Sequence, residues 1–303
     1  MPQRQDNITL LLSLLDPTSP FADYYSRLYS LQLLSAICAA RPERLQECIL
    51  SAPLGVSRLV SVLDDQRDAV RNAGLLLLVD LTSGANEELR KIVAFEDVFG
   101  KVFNLIRAEG GLAEAGITAQ DCLSLLANLI KGSPSNQTMF RESGCVPQTV
   151  QMLGQAFPSD SEAPFIAQAR EKAGWGLLQL LTLFLEPGDK TSTPQNQSAF
   201  FRAGTAQVLI DLAFAADLPP PIRTLALKCN AALIAANAQW QEAFANLTIA
   251  APPSHVSEAA DARTQAKTNG TTRDPRPTRT AAAHAQALSG RGCTSSKLYW
   301  MSL

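Results

Sequence analysis

Residues 136–144 read NQTMFRESG, and sixty residues later the chain reads NQSAFFRAG, residues 196–204. Both fit Asn-Gln-[Ser/Thr]-x-Phe with a glycine four residues after the phenylalanine, the mark of an internal repeat. Each copy opens a segment order of short, medium and long helix. SNQTMFRESG leads to CVPQTVQMLG and to FIAQAREKAGWGLLQLLTLFL (165–185), and NQSAFFRAG leads to TAQVLIDLA and PPIRTLALKCNAALIAAN (220–237). Upstream, NEELRKIVAFED (86–97), VFGKVFNLIRA (98–108) and ITAQDCLSLLANLIKG (117–132) repeat the order. PERLQECILSAP, LGVSRLVSVL and RDAVRNAGLLLLVDLTSG (67–84) do so once more. NITLLLSLL and YYSRLYSLQLLSAICAA supply the second and third helices of a first unit, and QWQEAFANL opens a partial last one. Gly, Pro and small polar residues cut the segments, and period-two alternation of the strand type is scarce.

One apolar anchor per first helix is expected at Cys48, Ile92, Phe140, Phe200 and Phe244, at intervals of 44, 48, 60 and 44 residues. The insertions AEGGLAEAG, AFPSDSEAP and EPGDKTSTP account for the longer steps. Three helices per unit with a period of about 40–47 is the armadillo pattern. No unit can bury its apolar face alone, so neighbours stack into one core. The expected fold is therefore all-α, an armadillo-type right-handed superhelical solenoid of about five repeats over 1–252. A disordered, low-complexity basic tail is expected over 253–303, where large apolar residues are too few to offset chain entropy.

With 303 residues, 46% hydrophobic, the chain can build a substantial core. Its net charge of −2 argues against general nucleic-acid binding. The tail from Pro252 holds seven Lys/Arg against three Asp/Glu, leaving the preceding body acidic by about six charges. Six scattered cysteines without a CxxC pair predict buried, reduced thiols in a cytoplasmic protein. The longest apolar segment, residues 175–185, is shorter than the roughly 20 residues of a membrane span.

Both histidines, His255 and His284, lie in the tail, which removes Ser-His-Asp and Cys-His chemistry and most zinc arrangements from the body. RAEGGLAEAG lacks the Lys-Ser/Thr of a phosphate loop. Asp64–Asp65 and Glu87–Glu88 read as solvated helix-start carboxylates. Within NQTMFRESG, Asn136 or Ser135 is expected as a cap, Gly144 as the stop, and Arg141 and Glu142 as solvated. No enzyme, metal or cofactor is expected.

A helical solenoid offers instead a long concave surface lined by its third helices. Aligned on their small-residue stops, these helices give two same-face positions per unit. The pairs are Gln32/Ala36, Leu76/Asp80, Ser124/Asn128, Trp175/Gln179 and Cys229/Leu233. The candidate protein-binding residues are Gln32, Asp80, Ser124, Asn128, Trp175 and Gln179, with Trp175 also able to sit in the core between Gly174 and Gly176. Nuclear-import adaptors repeat Trp above Asn in unit after unit; here one of each stands in different units, which argues against that role.

LGVSRLVSVLDDQRDAVRNAGLLLLVDLT running into KIVAFEDVFGKVFNLI, then DCLSLLANLIKGSPSNQTMF, resembles the globular head of the general vesicular transport factor family, over residues 7–250. GVSRL, RNAGLLLL, KIVAFE and DCLSLLANLI…SNQ carry the resemblance. It implies an armadillo-like head that tethers vesicles in ER-to-Golgi and intra-Golgi transport without catalysis. The implied partners are the early-secretory Rab GTPase, SNAREs and other Golgi tethers, with peripheral attachment to vesicle and Golgi membranes through them. The family's dimerising coiled coil has no counterpart here, and the tail from about Ser254 matches nothing in the family. The alternative is a generic armadillo scaffold holding an extended peptide in its groove. An open solenoid end after QWQEAFANL is expected to expose apolar surface and promote self-association.

Overall fold

Proline, asparagine and left-handed corner residues set where most of the helices begin. The computed structural model describes residues 2–114, 116–157, 164–187 and 190–247, and no strand occurs among them. The first unit holds α1 (Pro2–Ser13) and α2 (Tyr24–Ala40). The second holds α3 (Pro42–Ser51), α4 (Gly55–Ser61), prolonged by a 3-10 turn, and α5 (Asp68–Thr82). The third holds α6 (Glu87–Phe95), α7 (Val98–Ala108), a short α8 (Gly111–Glu114) and α9 (Ile117–Ile130). Then come α10 (Pro134–Glu142), α11 (Cys145–Gln155) and α12 (Pro164–Leu185), followed by α13 (Ser192–Arg202), α14 (Thr205–Phe214) and α15 (Pro220–Ile234). Finally α16 (Ala238–Ala245) opens a sixth unit.

Successive third helices α2, α5, α9, α12 and α15 pack side by side in chain order. The second helices α7, α11 and α14 do the same, as do the first helices α6, α10 and α13. This is the all-α, armadillo-type solenoid. The tail and the domain boundary expected at 252/253 lie outside the described residues.

The corner between first and second helices is the same in four units. Leu54, Asp97, Gly144 and Gly204 each precede the second helix with φ between 55° and 84°. Glycine adopts this left-handed conformation freely; Leu54 and Asp97 hold it at a cost of about 1 kcal/mol. Gly55 is needed for a different reason, since a Cβ there would stand 2.3 Å from the Ile49 carbonyl oxygen.

The core is one continuous apolar cluster running through all the units. Phe140 packs edge-on against Phe99 at 5.3 Å between centroids and against Phe184 at 4.9 Å. Phe184 meets Phe200 at 5.1 Å, so one aromatic ladder joins the third to the fifth unit. Phe140 and Phe200 are the fully buried anchors the repeat requires. In the second and third units the deepest anchors are Ile49 and Val93, one residue after the expected Cys48 and Ile92.

A polar residue three positions before each anchor explains this correction. Gln46, Arg90, Gln137, Gln197 and Gln241 reach carbonyls at the ends of third helices, which have no partner within their own helix. Gln46 Nε2 donates to Leu81 O at 2.8 Å, and Arg90 Nη1 donates to Asn128 O and Lys131 O. Gln137 Nε2 donates to Ile130 O and Leu183 O, Gln197 Nε2 to Ala232 O, and Gln241 Nε2 to Ile234 O. The Gln137 carbonyl oxygen accepts from Ser192 Oγ at 2.7 Å and Asn196 Nδ2 at 2.8 Å, tying the fourth unit to the fifth.

Two readings of NQTMFRESG change accordingly. The residue preceding α10 is Ser133, whose side chain makes no capping bond, while Asn136 is fully buried and donates to Leu129 O and Arg90 O. Arg141 is not simply solvated: its guanidinium binds Asn196 Oδ1 and Gln195 Oε1 of α13 and Thr138 Oγ1. Asp65 is also no solvated cap. It is buried in an ion pair with Arg27 and also bonds Arg67, whereas its neighbour Asp64 pairs with Lys101.

Candidate protein-binding face

The third-helix layer turns a regular row of side chains outward. Residues Gly74, Leu75, Leu78 and Thr82 of α5 correspond in burial to Cys122, Leu123, Leu126 and Ile130 of α9, and to Ser30, Leu31, Leu34 and Cys38 of α2. That register puts Gln32/Ala36, Leu76/Asp80, Ser124/Asn128 and Trp175/Gln179 on the same face in successive units. Most of these are exposed; Ser124 and Asn128 are half-buried. In α15 the same register selects Thr224/Lys228, both exposed, while the expected Cys229 and Leu233 are buried in the core. The alignment on small-residue stops, Ala235 and Ala236 here, therefore slipped by five residues in α15.

Trp175 faces outward at 37% exposure. Its flanking glycines do mark close packing, but theirs and not its own. A Cβ on Gly174 would meet Phe157 at 2.5 Å, and one on Gly176 would meet Leu123 at 3.0 Å. Asn128 points the other way: its amide donates to Val79 O at 3.1 Å and Thr82 Oγ1 at 3.4 Å, sealing the end of α5. Ser124 Oγ is turned back onto Gln120 O at 2.7 Å. The groups free to meet a partner are therefore Gln32, Leu76, Asp80, Trp175, Gln179, Thr224 and Lys228.

Two carboxylates colour this face. Burial raises the pKa of Asp80 and of Asp121, and no ion pair to either occurs among the described residues. The face can thus offer aromatic and aliphatic contact, amide hydrogen bonds and localised negative charge. Elsewhere burial pushes the Cys122, Cys145 and Cys229 thiols up to about 12, which keeps them protonated and unreactive at neutral pH. Among the described residues no group of His, Cys, Asp or Glu could hold a metal ion, and no helix is long and apolar enough to cross a membrane.

No protein-family model matches the chain. It is 32% identical over 247 residues to the intracellular protein transport protein USO1 of Saccharomyces cerevisiae, covering 82% of this chain and 13% of that one. It is 32% identical over 261 residues to the general vesicular transport factor p115 of Homo sapiens, covering 83% of this chain and 25% of the relative. A crystal structure of Uso1 superposes with a TM-score of 0.75 at 32% identity, over 84% of this chain and 37% of that one. The chain therefore spans about a quarter or less of the length of these curated relatives. Homologous to Uso1 and p115 along its solenoid, this chain belongs to the general vesicular transport factor family.

Proposed function

We propose that the chain serves as a non-catalytic vesicle-tethering head for ER-to-Golgi and intra-Golgi transport, acting by protein–protein binding. The observation that carries this reading is the shared solenoid with Uso1 at a TM-score of 0.75, together with 32% identity over four-fifths of the chain to relatives named for intracellular protein transport and for vesicular transport. In this reading the partner that selects the membrane is the early-secretory Rab GTPase, with SNAREs and other Golgi tethers as further partners. The chain then sits in the cytoplasm and reaches vesicle and Golgi membranes through those partners. The outward row of Leu76, Asp80, Trp175 and Gln179 supports contact through the third-helix layer, because it combines a half-exposed aromatic anchor with unpaired polar groups.

A pull-down from purified components tests this reading. GTP-loaded early-secretory Rab is expected to retain the chain and GDP-loaded Rab to retain less. No retention in either state, alongside capture of unstructured peptides, replaces tethering with a peptide-scaffold role.

A further inference from the structure

The corners between first and second helices are alike in backbone but not in what they show to solvent. Counted from their left-handed residues, Phe95 stands where Ala52, Glu142 and Arg202 stand in the second, fourth and fifth units. Ala52 is buried and Glu142 and Arg202 are solvated; Phe95 is 78% exposed, the highest value of any large apolar side chain among the described residues. The preceding corner carries Leu54, 65% exposed and itself in the left-handed conformation, where the fourth and fifth units have glycine. A leucine there bears backbone strain and gains no burial in return. The two corners are neighbours, because α4 packs on α6 and α6 on α10. Phe95 also has a unit on either side, so its exposure belongs to the corner itself. One exposed apolar residue is ordinary; two on adjoining corners, one of them strained, mark a contact surface.

The free charges around the pair have one sign. Glu96 and Asp97 follow Phe95, and Glu142 stands on the next corner; none of them is in an ion pair among the described residues. The nearby cations are engaged: Lys91 by Glu87, Arg58 by Asp16 and the Pro53 carbonyl, and Arg141 by Asn196 and Gln195. We propose that this ridge docks a basic amphipathic helix of another protein, with apolar side chains on Leu54 and Phe95 and Lys or Arg against Glu96, Asp97 and Glu142. Adjoining units are spaced by one helix-packing distance, roughly 8–10 Å, and residues i and i+7 of a helix are about 10.5 Å apart. Two turns of one apolar helix face therefore reach both corners. The carboxylates disfavour other occupants by repulsion, since an anionic membrane surface and a second copy of the same ridge both bring negative charge. The ridge is separate from the outward third-helix row, so its occupancy does not depend on Rab recognition.

The test is fluorescence anisotropy of two labelled synthetic peptides titrated with the full chain. Each peptide has about three heptads with Leu at a and d, the other positions being Lys in one and Glu in the other. The Lys peptide is expected to bind saturably and at least tenfold tighter than the Glu peptide. Phe95→Ser is expected to weaken it at least tenfold with helicity and melting temperature unchanged. Leu54→Gly is expected to weaken it severalfold while the melting temperature rises, opposite movements that a purely structural residue does not give. Glu96→Gln/Glu142→Gln is expected to weaken it at least tenfold. Glu43→Gln/Glu242→Gln, the same charge change at exposed sites elsewhere, is expected to leave it intact. Absence of saturable binding overturns the proposal, as does equal binding of the two peptides. Affinity indifferent to Phe95→Ser, or lost equally in both Glu→Gln pairs, leaves only general attraction to an acidic body and overturns it too. Co-sedimentation with phosphatidylcholine–phosphatidylserine vesicles that Phe95→Ser abolishes overturns it in favour of a lipid surface.

Discussion

Gln137 shows what one residue does in this fold. Its amide nitrogen serves the ends of two third helices, and its oxygen holds Ser192 and Asn196 of the next unit. Gln137→Leu keeps the size and removes these four hydrogen bonds, so a loss of about 2–3 kcal/mol is expected, read as a lower urea midpoint. Gly144→Ala meets no atom within 4 Å, so its cost is the left-handed backbone alone, about 1 kcal/mol. Leu54→Gly reverses that cost at the equivalent corner and is expected to gain about 0.5 kcal/mol, or roughly 1–2 °C in melting temperature. Carboxylates of opposite sense give a pH signature. Burial works against the Asp65 carboxylate, yet bonds from the Arg67 backbone N–H and the Arg27 and Arg67 guanidiniums hold its pKa below the usual range. Its stabilisation is present above the ordinary carboxylate pKa of about 4 and disappears as pH falls through the lowered folded value. Asp80, raised by burial, does the reverse, costing stability once it ionises. Asp65→Asn is therefore expected to destabilise at pH 7 and Asp80→Asn to stabilise, with both differences shrinking at pH 3 in chemical denaturation. Equal pH 7 and pH 3 effects contradict the assignment.

At the scale of the helix, most boundaries were legible because Pro, Gly and Asn stand where helices start and stop. Pro134 and Pro220 open α10 and α15, and Gly144 and Gly204 turn the corners. The corners at Leu54 and Asp97 carry no such signal, since neither residue type announces a positive φ. The anchor register was off by one in the second and third units because it was judged by apolarity. The Gln or Arg three residues earlier, buried at Gln46, Gln137 and Gln197, is the better ruler, and it was visible as a spacing in the sequence. Asn128 and Arg141 were misjudged for another reason: their partners lie 46–55 residues away across a unit boundary, where local pattern carries no information. Gly55→Ala tests the tightest corner. Its Cβ would strike a backbone carbonyl, which cannot swing aside as a side chain can, so a loss above about 2 kcal/mol is expected. A neutral melting shift would show that α3 and α4 slide apart freely.

For the whole molecule, repetition made the fold readable, since each unit repeats the evidence of its neighbour and stacking follows from the apolar faces left over. Function is less readable, because a binding face is defined by what stays outside the core and the same row can suit many partners. Trp175 illustrates this: its glycine neighbours suggested burial, and only the packing of Gly174 on Phe157 shows which of the three turns inward. Titration of the purified chain with GTP-loaded and GDP-loaded early-secretory Rab tests the central claim most directly, using the parent and the Asp80→Ala/Gln179→Ala pair. Asn128 is left intact because it seals α5. The expected result is saturable binding at least tenfold tighter to the GTP form, weakened at least tenfold in the pair with helicity unchanged. Absence of binding to either nucleotide form would contradict the account.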